Sequence, residues 1–126
     1  MLRRADPSEA YRRVDFDARV NGASPQQLVD LCLEQLTGSI DRAVFADARG
    51  DNAMKSAALT RAVAALTALQ LGVDSANPAS GALLQLYGAA RRAVLDSAVA
   101  FDPATLNSIR DDFNDIRKAM HGGVAA

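Results

Sequence analysis

Apolar residues recur along this chain at helical spacing in four separate stretches. In the first, Leu28, Leu31, Cys32, Gln35, Leu36, Ser39, Ile40 and Ala43 step by three and four. Val29, Leu33, Leu36, Ile40 and Val44 form an adjacent row, so the stripe is unusually wide. Ser24 can cap this helix, Pro25 has its φ pre-set for the first helical position, and Gln27 completes a capping box. The spacing predicts a helix over 25–49, which Gly50 ends in a left-handed conformation. A second helix over 52–71 is capped by Asp51 or Asn52. It has Met54, Ala58, Ala62 or Arg61, Ala65 and Leu69 on one row, and Leu59, Val63, Leu66 and Gln70 on another.

Gly72–Ser80, with its Asn77-Pro78 turn signal and Ser80 as candidate cap, reads as a loop inside one domain. A third helix, over 81–99, aligns Leu83, Leu86 or Tyr87, Ala90, Val94 and Ala98, flanked by Leu84, Arg91 and Leu95. Asp102-Pro103 repeats the Ser24-Pro25 device and opens the last helix, over 103–120. There Leu106, Ile109, Phe113, Ile116 and Met120 make the cleanest stripe, with Asp111, Asp112, Asn114, Asp115, Arg117 and Lys118 facing away. Gly122-Gly123 is expected to stop it and leave 122–126 as a frayed tail. At 1.5 Å per residue such helices are roughly 27–37 Å long, and their short connections make neighbours antiparallel. The expected fold is all-α: an antiparallel up-down-up-down four-helix bundle over residues 24–121.

Residues 1–23 are polar and mixed and read as an arm, with a short helix from Ser8 at most because Pro7 bars an earlier start. Its apolar members Tyr11, Val14 and Phe16 would dock on the bundle or on a partner.

Composition sharpens this picture. The chain has 126 residues, enough for one core, and 49% hydrophobic but only 5% aromatic residues favour closely packed aliphatic helices. Alanines 57, 58, 62, 65, 68, 82, 89, 90 and 93 either let backbones approach or leave shallow grooves for a partner's side chains. A formal net charge of −1 offers no attractive field to nucleic acid. No apolar run approaches a membrane span, Met1–Arg4 is not followed by a signal-peptide core, and a single Cys32 cannot make an intrachain disulfide. A soluble protein of the reducing cytoplasm is expected.

Site chemistry is sparse. One His and two Glu cannot build a carboxylate-bridged di-iron centre, and Cys32 with His121 cannot ligate zinc in an ordinary set. His121 reads as a cation at a helix C-terminus and Cys32 as a small core residue. Asp111, Asp112 and Asp115 read as a solvated face, and Arg61, Arg91 and Arg92 as surface ion-pair partners or an acidic-partner patch. Catalytic residues, metal ligands and cofactors are therefore expected to be absent, and the chain is not expected to be an enzyme.

In order along the chain stand Tyr11, the A-S-P-x-x-L-V start at Ala23–Val29, the A-x-x-x-G-D hairpin at Ala46–Asp51, and Lys55-Ser56. The L-x-x-L-Y segment at Leu83–Tyr87 follows, then Arg91-Arg92-x-x-Leu95, then Leu106, Ile109 and Arg117. Over about 110 residues this order resembles the FliS family of flagellin-specific export chaperones. Cys32-Leu33-Glu34-Gln35 stands where members carry Leu-Tyr-Asp-Gly, and Met120 where they carry Trp. The resemblance implies a non-enzymatic helical bundle that binds the disordered C-terminal segment of flagellin, blocks premature polymerisation, and delivers it to the flagellar type III export apparatus. It also implies that Tyr11 contacts an export-gate component.

A client helix lying in an apolar groove fits the wide stripes. Leu66, Leu69, Leu83, Leu86, Tyr87, Ala90 and Val94 are the expected client contacts, although their spacing serves a bundle core equally well. The competing readings are a self-associating bundle that forms a homodimer and a divergent paralogue with a different client.

Overall fold

The structure, a computed structural model, describes residues 16–124. Helix α1 covers 16–21, and four long helices follow: α2 (Pro25–Ala48), α3 (Asn52–Leu71), α4 (Ser80–Ser97) and α5 (Pro103–Val124). The start of α2 is capped as its sequence dictates. The Gln27 N–H donates to Ser24 Oγ at 3.3 Å and the Ser24 N–H donates to Gln27 Oε1 at 2.8 Å, satisfying two amides that have no partner within the helix. Gly50 turns the chain with φ +70, a left-handed value that costs glycine little. Asp51 then accepts from the Met54 N–H at 3.0 Å to start α3. Asp102 plays the same part for α5, accepting from the Thr105 N–H at 3.2 Å.

Ion pairs and hydrogen bonds fix the directions of the helices. Lys55 at the start of α3 meets Asp47 at the end of α2. Arg91 of α4 donates to Thr67 Oγ1 of α3, while Arg110 and Arg117 of α5 meet Asp41 and Asp30 of α2 in reverse order. Each neighbouring pair is antiparallel, as short connections require. Helix α2 packs on both α3 and α5, α3 also packs on α4, and α4 touches α5 only lightly.

The core lies between these helices. Leu33, Leu36 and Ile40 of α2, Leu59 and Leu66 of α3, Tyr87 and Val94 of α4, and Leu106 and Phe113 of α5 interlock there. Tyr87 stacks on Phe113 with ring centroids 6.1 Å apart and an interplanar angle of 18°, which bridges the lightly packed α4–α5 side. Ala58, Ala62, Ala65 and Ala90 are all buried, so these alanines serve close backbone approach.

Several boundaries differ from expectation: α2 ends at Ala48 and α4 at Ser97, short of 49 and 99, and residues 16–21 form a helix of their own. Ser80 is not a cap: it is the first helical residue of α4, Ala79 precedes it with no side-chain cap, and Asn77 Oδ1 instead accepts from the Ala79 N–H. At the other end, α5 runs past 120 and through Gly122 to Val124. Glycine permits a stop there but does not force one, and the last turn is pinned by His121, whose Nε2 lies 2.9 Å from Asp30 Oδ1.

Candidate functional site

Helix α3 has a groove on each side. Between α3 and α4 lies an open cavity of about 570 Å³ with Leu59 and Val94 as buried floor. Val63, Leu95 and Ala98 form its walls, and Asn52, Lys55, Ser56 and Thr60 its polar rim. Leu95 is exposed, as is Val99 just beyond the end of α4. Lys55 closes one end of this groove. Its Nζ sits 2.9 Å from Asp47 Oδ1 and 5.0 Å from the centroid of the Phe101 ring, so the ammonium is held by both a carboxylate and an aromatic face.

Between α2 and α3 lie two adjoining cavities of about 220 and 250 Å³, both lined by Phe16, Gln35 and Arg61. The second is floored by Cys32, Ala64, Ala65 and Ala68, where small side chains leave room, so alanine serves groove formation as well as close packing. Burial pushes the Cys32 thiol up from its ordinary range and keeps it protonated, consistent with a small apolar residue. Phe16 brings α1 against this groove, so that member of the arm docks on the bundle. Tyr11 and Val14 lie outside the described residues.

Arg19 ties α1 in place with a two-pronged contact to Glu34, at 3.0 and 2.9 Å. Glu34 also accepts from Arg117 Nη2 at 3.3 Å, and Arg117 grips Asp30 at 2.7 and 3.2 Å. One run of charges thus joins α1, α2 and the end of α5. The hydrogen bond from Arg117 holds the Asp30 carboxyl below the ordinary value of 3.8, and the bond from Arg19 holds Glu34 below 4.5, both against the opposing effect of burial. Because these carboxyls are depressed in the folded state, the stabilisation is fully present above the ordinary values and disappears as pH falls through the lower folded ones. Melting temperature is therefore expected to stay level from neutral pH to about 5 and to drop below that, and Asp30→Asn should reduce the drop. An acid limb identical in Asp30→Asn and the parent would contradict this role.

Of the positions expected to meet a client, Leu66, Leu69, Tyr87, Ala90 and Val94 are buried. Leu83 and Leu86 are half-buried and pack on the core. Val94 brings this set to the α3–α4 groove as part of its floor. The groove walls come from the second rows, Val63 on α3 and Leu95 on α4, while Leu59 of the same α3 row lies in the floor beside Val94. The convergence of Arg42 and Arg61 on the α2–α3 side was not anticipated. The α2–α3 hairpin register, fixed by Asp47 and Lys55, lays these two arginines opposite one another, and that register was the available signal.

Among the described residues no group of three or more His, Cys, Asp or Glu side chains is placed to hold a metal ion, and no helix is long and apolar enough to cross a membrane. The fold and its surface define an antiparallel helical bundle with open, largely apolar grooves on either side of one helix. The sequence profile of the FliS family, flagellar protein FliS, matches residues 7–124, nearly the whole chain, and the chain belongs to that family. It is a family of flagellar export chaperones, and not of enzymes. Comparison with curated proteins returned no match.

Proposed function

We propose that this protein is a cytoplasmic chaperone for the disordered C-terminal segment of flagellin, which it keeps from polymerising and delivers to the flagellar type III export apparatus. The observation that carries this reading is membership of the FliS family together with the two apolar-floored grooves flanking α3. A disordered amphipathic segment gains most by folding onto such a surface, because helix formation satisfies its backbone while its apolar face is buried.

In the α3–α4 groove Leu59, Val63, Leu95 and Ala98 would meet client side chains over Val94, with Leu83 and Leu86 further along α4 as flanking contacts. Leu66, Leu69, Tyr87 and Ala90 would act from beneath, by holding α3 and α4 at the spacing that keeps the groove open. Tyr11 is proposed to contact the export gate. Deletion of the protein in its native host should leave flagellin unsecreted, and a Tyr11→Ala variant should still bind flagellin in pull-downs while secretion falls. Undiminished flagellin secretion in the deletion strain would rule the function out.

A further inference from the structure

The α3–α4 groove has two unlike edges. Its α4 wall, Leu95 and Ala98, carries no polar side chain, and Val99 is exposed just beyond the end of that helix. On α3 two rows of residues, each at four-residue steps, run along the groove. The inner row is Lys55, Leu59 and Val63. The outer row, Asn52, Ser56 and Thr60, is exposed and carries one carboxamide and two hydroxyls. Thr60 Oγ1 donates to the Ser56 carbonyl at 2.9 Å, so that hydroxyl proton is committed and its oxygen is left to accept. Among the described lining residues the single charge is Lys55, already held by Asp47 and the Phe101 ring. The lining thus offers hydrogen bonds along one edge and no uncommitted charge. From Asn52 to Val63 the α3 wall runs roughly 16 Å, about three helical turns.

We infer that this groove takes a client helix of about three turns whose apolar face meets α4 and the floor, and whose edge over α3 carries uncharged hydrogen-bonding side chains: Asn, Gln, Ser or Thr. The inference rests on the chaperone reading above and adds to it the chemistry by which a segment is selected. A carboxamide or hydroxyl over Asn52, Ser56 and Thr60 exchanges water for a matched partner. A wholly apolar edge would dehydrate those three side chains and leave them unpaired. A charged edge would itself be dehydrated with no opposite charge free to meet it. The rim therefore sorts among amphipathic helices, and it fixes the rotation of the client about its own axis.

The test is a titration of the full-length protein with a synthetic peptide of the C-terminal segment of the host's own flagellin. Ser56→Ala and Thr60→Val each remove one exposed hydroxyl and should keep the helical spectrum of the parent. Each is expected to weaken binding about three- to tenfold. Peptides with one Asn, Gln, Ser or Thr replaced by Ala identify the edge residue. That replacement should cost a similar factor on the parent and little on the matching protein variant. Glu at the same peptide position should cost more on the parent than Ala does. Equal binding of the unmodified peptide by the parent, Ser56→Ala and Thr60→Val would overturn the rim and leave the chaperone reading standing. A parent that sediments as a dimer, with Leu95→Glu a monomer, would assign the groove to a second copy of the chain and overturn the inference as well. Failure of the unmodified peptide to bind at all would overturn both.

Discussion

Phe113→Ala is expected to destabilise the bundle by about 3–5 kcal/mol, the cost of deleting a large buried ring and leaving a cavity that its neighbours only partly fill. The ring is 1% exposed. Its position makes it worse to lose than its size suggests. Helices α4 and α5 touch only lightly, and the Tyr87–Phe113 stack is what closes that side of the bundle. For a chain of this length the loss corresponds to a fall of roughly 10–20 °C in melting temperature. Scanning calorimetry or helical circular dichroism would measure it, and a fall of only a degree or two would show that α5 is held by its ion pairs to α2 and not by its apolar stripe.

Leu95→Glu carries the largest expected effect on function. The side chain is 44% exposed on the wall of the α3–α4 groove, so a charge there has access to water in the free protein and stability should change by no more than about 0.5 kcal/mol. With a client in the groove the same carboxylate would be dehydrated against an apolar helix face. Only the part of Leu95 that is still exposed can be newly buried, so its loss removes about 1 kcal/mol, and dehydrating the charge adds about 2 kcal/mol, so affinity should fall by about a hundredfold. Arg92→Glu, an exposed change on the same helix away from the groove lining, serves as the comparison and should leave binding within a few-fold of the parent. Equal binding by Leu95→Glu and the parent would remove the α3–α4 groove from the proposed surface.

Much of the fold could be read along the chain because its signals are local. Ser24-Pro25-x-Gln27 determines where α2 begins, Gly50-Asp51 determines the hairpin, and the step from Leu106 to Met120 determines which face of α5 is buried. Local signals misled at Ser80 and Gly122, where neighbouring interactions decided the boundary.

The grooves were less legible. A row of apolar residues at helical spacing shows that a face is covered, but not whether a neighbouring helix or an absent partner covers it. Leu66 and Leu95 illustrate the two cases, one fully buried and the other on a groove wall. The charge relay was hidden for another reason. Arg117 and Asp30 are 87 positions apart, and their pairing depends on the register of α5 against α2, which no segment of either helix encodes alone. Arg42 and Arg61 lie between these extremes, far apart in sequence yet joined by a hairpin short enough to set their register.

The most direct test of the chaperone reading is a calorimetric titration of the intact protein with the C-terminal segment of its host's flagellin, followed over several temperatures. One-to-one binding is predicted at micromolar concentrations or below, with a negative heat-capacity change from apolar burial and a gain of helical signal as the segment folds onto the grooves. No heat and no helical gain at concentrations well above micromolar would contradict it.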